Sequence, residues 1–215
     1  METLKLSRRP LFDPILRTLH AWNGFFIMAL LLTSAAADAL WLEGSVVGLW
    51  RLHVWLGYGL LLGLVGRVVW SLVGPQRAGW AVLWQPQSWR QAWRHAWQDK
   101  RWLAWLETRQ KDGSAPPPAA ALVYLISYGV LLISVLSGLV LVAVEYDSGP
   151  LRAVLGLAFA WGEVAQAWHE IGEKWFYLFL LLHFAAMIWH ERREGVPVAQ
   201  GMISGYYYHR KDEDE

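Results

Sequence analysis

The stretch WHEIGEKWFYLFLLLHFAAMIWH, residues 168–190, decides the fold of this chain. It is mostly apolar and long enough for a helix to cross the ~30 Å hydrocarbon core of a bilayer. It also carries two histidines fourteen residues apart, His169 and His183. An ionisable side chain at membrane depth is costly, so such a residue indicates a function. The stretch therefore predicts a transmembrane helix with a site inside the membrane.

Three further apolar segments of similar length precede this one, and 55% of the chain is hydrophobic. We expect spans at residues 15–37, 53–73, 119–144 and 168–190, as helices, because a backbone in lipid must satisfy its own hydrogen bonds. Residues 151–167 are apolar but contain Gly156 and Gly162. They indicate a lid or interfacial helix, with a re-entrant element as the alternative. The prediction is an all-α integral membrane protein, a four-helix bundle forming one domain over residues 1–215.

The basic residues gather on one side of these spans. They lie at the N-terminus, in and just before the loop at residues 74–118, and after the fourth span, whereas only Arg51, Arg152 and Lys174 fall on the other side. The positive-inside rule then places both termini in the cytoplasm, and we expect a multi-pass protein of the plasma membrane. The charged tail at residues 211–215 is expected to fray.

The cytoplasmic loop at residues 74–118 is rich in tryptophan, with seven of the sixteen in the chain. Trp89, Trp93 and Trp97 recur every four residues, and Arg90 and Arg94 lie between them. Tryptophan and arginine together are typical of a helix at the headgroup level of a membrane. We therefore predict an interfacial helix here, and no nucleic-acid binding beside four spans.

The chain contains no cysteine. This excludes disulfides, thiolate-held iron–sulfur clusters and covalently attached c-type haem. Histidine remains the obvious ligand for a metal.

The histidines fall into two levels. Two residues fourteen positions apart on a helix lie about 21 Å apart along its axis, and their side chains point in directions about 40° apart around it. His169 and His183 therefore project from one face at opposite membrane levels. With the predicted orientation, His183 shares the inner level with His20 of the first span. His169 shares the outer level with His53, which opens the second span. Each pair can supply two axial imidazoles to one haem iron, an arrangement suited to electron transfer.

His190 is the alternative inner ligand, since it follows His183 by seven residues and lies on nearly the same face. It adjoins the charged run at residues 191–194, which marks the membrane edge. We therefore prefer His183. The third span contains no histidine and is expected to be structural.

Three arginines are candidate partners of haem propionates. Arg17 and Arg67 are placed for the inner haem and Arg51 for the outer one. The alternative is that each is an interfacial arginine that snorkels to the headgroups. Small residues along the second span let either a porphyrin or a neighbouring helix approach closely; they are Gly59, Gly63 and Gly66.

These residues resemble the bacterial cytochrome b561 family, the group that includes the b-type cytochrome subunits of nickel–iron hydrogenases. The matching pieces, which cover nearly the whole chain in order, are Arg17-Thr-Leu-His20, His53, Arg67-Val-Val-Trp70, His169, His183-Phe-Ala-Ala-Met-Ile-Trp-His190 and Met202-Ile-Ser-Gly205. The resemblance implies a four-helix bundle with two non-covalent b haems. It assigns the axial ligands to the same four histidines; they are His20, His53, His169 and His183.

Two pieces depart from the family pattern. His20 is followed by Ala21 and then Trp22, where members often have a His-Trp pair. Residues 113–118 read GSAPPP, where many members have a Gly-His-Asn-Pro-like turn. The second departure leaves haem binding intact but changes the turn before the third span.

The sequence thus predicts a dihaem b-type membrane cytochrome that relays electrons between the quinone pool and a periplasmic redox protein or catalytic subunit. Its partners are membrane lipid, quinone and that periplasmic protein, and the sequence is also compatible with an oligomer. One alternative is a stand-alone superoxide:quinone oxidoreductase, in which Arg51, Arg152 and Lys174 attract the anion. Another is a haem-free transporter or assembly factor that uses the histidines for protons or metal.

Overall fold

A computed structural model describes residues 6–39, 46–83, 86–98, 116–155, 159–197 and 199–210. Helices dominate these ranges. In chain order the elements are β1 (Leu6–Pro10), α1 (Pro14–Ala39), α2 (Val46–Val73), α3 (Pro86–Gln98), α4 (Pro118–Glu145), α5 (Arg152–Leu155), α6 (Phe159–Glu194), α7 (Ala199–Ser204) and β2 (Tyr206–Arg210), with short 3₁₀ turns at Gln76–Ala78 and Trp80–Val82.

Four of these helices, α1, α2, α4 and α6, are long and apolar enough to cross a membrane. Large apolar side chains lie exposed along them, such as Leu32 on α1 and Leu72 on α2. A water-soluble protein rarely exposes apolar surface on this scale, whereas a lipid-facing helix does so along its length. The predicted all-α fold with four apolar spans is confirmed.

Two of the spans begin earlier than the sequence indicated. Helix α2 begins at Val46 and α6 at Phe159, so His53 and His169 lie well inside their helices. Arg51 lies inside α2, because a long basic side chain near a helix end can snorkel without ending the helix. The prediction of a separate lid at residues 151–167 is wrong over residues 159–167, which belong to α6. Residues 156–158 lie outside the described residues.

The tryptophan-rich pattern in the loop forms the helix α3, and its position at the membrane interface stays a prediction. The rings of Trp93 and Trp97 stack with centroids 5.4 Å apart and planes 5° apart. Both side chains are mostly exposed. Residues 99–115 of the same loop, and the tail at residues 211–215, lie outside the described residues.

The two ends of the chain pair as a short antiparallel sheet that the sequence did not predict. Strand β1 pairs with β2 from Leu6 opposite Arg210 to Pro10 opposite Tyr206. The guanidinium of Arg8 lies over the Tyr206 ring at 4.8 Å from its centroid. Such a cation–π contact adds to the backbone pairing, so β1 and β2 are held together.

The chain divides into two compact units. The first comprises the described residues within 1–20, 67–126 and 182–215. In this unit the Asp13 carboxylate accepts the Leu16 backbone N–H at 2.9 Å and the Trp70 indole N–H at 3.0 Å. Asp13 therefore caps the start of α1 and ties it to the end of α2.

The second unit comprises residues 21–66 and 127–181, apart from the undescribed ones. Its core is a cluster of large apolar side chains from four helices; the buried members are Leu31, Leu60, Leu64, Leu131 and Phe176. A Cβ added at Gly59 would overlap the Phe26 ring, and one added at Gly63 would overlap Asn23 and Trp22. The space over these two glycines is thus filled by side chains of α1, which favours close helix packing over approach of a porphyrin.

Candidate metal centres

Two histidine pairs come together, one in each unit. In the first unit, the rings of His20 on α1 and His183 on α6 have centroids 6.3 Å apart, with planes 43° apart. In the second unit, the rings of His53 on α2 and His169 on α6 have centroids 6.1 Å apart, with planes 68° apart. These are the two pairings that the sequence analysis named.

Both separations fit two imidazoles that ligate one metal ion from opposite sides. An imidazole nitrogen lies about 2.0–2.1 Å from a first-row metal ion and the ring centroid about 1.1 Å further back, so the two centroids should lie about 6.3 Å apart. The residues of each pair therefore fit the axial positions of a haem iron.

The ring nitrogen Nδ1 of His53 has a hydroxyl partner. It lies 2.9 Å from Oγ1 of Thr33, a buried residue on α1. A histidine that ligates a metal through one nitrogen almost always bonds a partner through the other. With Nδ1 occupied in this way, Nε2 is the nitrogen of His53 that remains for a metal.

His169 is held in the same manner by α4. Its Nδ1 lies 3.0 Å from the backbone carbonyl oxygen of Ser134 and 3.1 Å from Oγ of Ser137. The ring also lies close to Gly138, where an added Cβ would come within 3.2 Å of the imidazole Cε1. The absence of a side chain at Gly138 therefore gives the ring its space.

The third span is thus more than a structural element, and the prediction that it has only a structural role was incomplete. Besides orienting His169, it places Tyr124 beside His183 in the first unit, with ring centroids 6.3 Å apart. Helix α4 therefore contributes side chains next to one histidine of each pair.

The three arginines named as propionate partners differ in their surroundings. Arg67 is buried in the first unit, whereas Arg51 is exposed in the second. Arg17 donates from Nε to the carbonyl oxygen of Met202 at 3.2 Å and from a terminal nitrogen to that of Ile203. Arg17 therefore binds the last turn of α7, and its role toward a propionate stays a prediction, as do those of Arg51 and Arg67.

His190, the alternative inner ligand, has a different neighbour. Its ring centroid lies 4.9 Å from that of Trp189, the preceding residue. The ring beside His20 is that of His183. The geometry therefore favours His183 as the partner of His20.

Sequence reasoning missed the residues around the histidines, namely Tyr124, Thr33, Ser134, Ser137 and Gly138. Thr33 and Ser137 could have been noticed in the sequence, because a hydroxyl within an apolar span needs a hydrogen-bond partner. No rule of spacing connects them to His53 or His169, because the contacts join different helices.

Comparison with known families gave one match of wide coverage. The model of the family described as prokaryotic cytochrome b561 matches residues 11–205. The matched range contains both histidine pairs. Comparisons with curated proteins and with solved structures gave no match.

Proposed function

The chain belongs to the prokaryotic cytochrome b561 family, and we propose that it is a dihaem cytochrome relaying electrons between quinone and a periplasmic redox protein. Family membership and the four apolar spans make it a multi-pass membrane b-type cytochrome of electron transport. The number of haems, their ligands and the partners form our proposal.

One observation carries the proposal. Two separate histidine pairs have ring centroids 6.3 Å and 6.1 Å apart, the separation of two imidazoles on one metal ion. A structural zinc ion usually takes four protein ligands, whereas a haem iron has two axial positions. Two imidazoles per site therefore support haem over a bare metal, and two sites support a dihaem protein.

The histidines would act as neutral ligands through Nε2. Haem supplies one-electron chemistry when bound, and the protein supplies its ligands and surroundings. Ligation from both sides leaves no open coordination position, so these imidazoles favour electron transfer over oxygen chemistry. Thr33 and Ser137 hold two of the rings, and the apolar helices exclude water.

The charge distribution supports an orientation with both termini in the cytoplasm. The segments assigned to the second unit carry few cations, which are Arg51, Arg152 and Lys174. All other lysines and arginines belong to the segments of the first unit. By the positive-inside rule, the segments that hold both termini would face the cytoplasm.

The alternative of a superoxide-oxidising enzyme gains no support from these cations. Arg152 makes two bonds to the Asp147 carboxylate, at 2.8 Å and 2.6 Å, and Lys174 lies 4.0 Å from Glu170. Acidic residues outnumber basic ones in the segments of the second unit. A small anion would therefore meet a surface of unfavourable charge.

The test is reduction of the purified protein by quinols. Protein in lipid nanodiscs is mixed with a benzoquinol or a naphthoquinol, and the b-type absorbance bands are followed in time. We expect at least one quinol to reduce the haems, and a His169→Ala variant to bind one haem fewer. A His95→Ala variant, altered at an exposed histidine on α3, serves as the control. The proposal would be contradicted if dithionite reduced the haems and neither quinol did.

A further inference from the structure

Two buried hydroxyls in the apolar helices make contacts beyond the packing of their own helix. Thr33 on α1 is 8% exposed and Ser137 on α4 is 7% exposed. Each lies within hydrogen-bond distance of a histidine on another helix, at 2.9 Å and 3.1 Å.

The bonds of Thr33 determine the direction of the contact. Its Oγ1 lies 3.0 Å from the carbonyl oxygen of Ala29 and 2.9 Å from that of Leu30. A carbonyl oxygen cannot donate, so the Thr33 hydroxyl is the donor in these two contacts and its single proton is used there. The Thr33 oxygen therefore accepts a hydrogen bond from Nδ1–H of His53. This fixes the tautomer whose Nε2 lone pair is available to a metal.

Ser137 repeats the arrangement on the other side of the pair. Its hydroxyl donates to the Ser134 carbonyl oxygen at 3.0 Å, so its oxygen can accept from Nδ1–H of His169. The same carbonyl lies 3.0 Å from Nδ1 and is a second acceptor. Both imidazoles of this pair are therefore held as Nδ1–H donors.

We propose that Thr33 and Ser137 are positioning residues that lower the reduction potential of the metal held by His53 and His169. The inference rests on the proposed function and adds to it. An acceptor on Nδ1–H increases the basicity of the imidazole. An imidazole that donates its electron pair more strongly stabilises the oxidised, more positive metal ion relative to the reduced ion. The hydroxyls thus set the electron affinity of one of the two sites without contacting the metal.

The experiment compares four proteins by potentiometric titration of the haem absorbance. They are the wild type, Thr33→Val, Thr33→Ser and Thr18→Val. Valine keeps the shape of threonine and removes the hydroxyl acceptor, but it leaves the Leu30 carbonyl, which also hydrogen-bonds the His53 ring. Serine keeps both acceptors. Thr18 is the matched control, because its hydroxyl also bonds within α1, to the carbonyl of Pro14 at 2.9 Å.

We expect Thr33→Val to raise the midpoint of one haem and leave the other unchanged. A tenfold change in the ratio of oxidised to reduced haem corresponds to about 59 mV for one electron, and we expect a shift of about this size. Thr33→Ser and Thr18→Val should keep both wild-type midpoints. Ser137→Ala should move the same haem in the same direction by a similar amount, because a backbone carbonyl remains as an acceptor in each variant, that of Leu30 for His53 and that of Ser134 for His169.

Other outcomes are decisive as well. If Thr33→Val loses one haem and Thr33→Ser retains both, the hydroxyl positions His53, and the midpoint in Ser137→Ala decides: a raised midpoint of one haem supports the inference and unchanged midpoints overturn it. It is overturned if Thr33→Val keeps both haems with unchanged midpoints, if both midpoints shift together, or if Thr33→Ser also loses the haem. Wild-type protein without two haems would instead contradict the proposed function, so the two failures are distinguishable.

Discussion

At the scale of single residues, two glycines on α4 provide a matched test of the His169 site. A Cβ added at Gly138 would come within 3.2 Å of the imidazole Cε1 of His169, whereas one at Gly129 meets no atom within 4 Å in the described part of the chain. We expect Gly138→Ala to displace the ring by a few tenths of an ångström and to weaken retention of one haem. Gly129→Ala should retain both haems and gain up to about 1 kcal/mol of helix stability. Haem content per protein after purification is the measurement, and equal content in the two variants would contradict the assignment.

The choice between His183 and His190 is a second test at this scale. His183 lies beside His20, whereas the ring of His190 contacts Trp189. We expect His183→Ala to lose one haem and His190→Ala to keep both, as read from the pyridine haemochrome assay. The reverse pattern would show that His190 is the ligand.

The histidines themselves could be predicted from the sequence, because ionisable residues in apolar spans are rare and their depth follows from helix geometry. Their supporting residues could not. Thr33 and Ser137 resemble any hydroxyl that bonds back to its own helix. Only the packing of α1 against α2, and of α4 against α6, shows which of them also meet a histidine.

At the scale of elements, the packing of α1 on α2 in the second unit depends on a glycine. A Cβ at Gly63 would overlap Asn23 and Trp22, whereas one at Gly57, on the same helix, meets no described atom within 4 Å. We expect Gly63→Ala to destabilise the protein by about 1–3 kcal/mol, the usual cost of overpacking, and Gly57→Ala to stabilise it by up to about 1 kcal/mol. Thermal unfolding in one detergent compares the two, and equal melting temperatures would show that this contact is unimportant.

The type and number of the long helices followed from hydropathy, whereas their ends did not. Gly162 suggested an interruption and Arg51 lies near the start of α2, but both helices continue through these residues. A single arginine or glycine costs too little to end a helix that is otherwise apolar and packed. The pairing of β1 with β2 joins residues about two hundred positions apart, and no local pattern predicts such a contact.

At the scale of the whole molecule, the orientation in the membrane can be tested because the chain has no cysteine. A single cysteine at Ser148, in the exposed turn after α4, or at Gln91, on the exposed side of α3, is then the only thiol. We expect an impermeant maleimide to label Ser148→Cys in cells whose outer membrane alone is permeabilised. Gln91→Cys should react only once the inner membrane is opened. The opposite labelling would place the termini in the periplasm.

The most direct test of the central claim is the number and type of haems bound by the purified protein. Oxidised and reduced visible spectra, with haem and protein quantified on one sample, give this number. We predict low-spin b-type bands and two haems per chain, one for the His20/His183 pair and one for the His53/His169 pair. A single haem would show that one pair is not a ligand pair, and a colourless protein would contradict the account altogether.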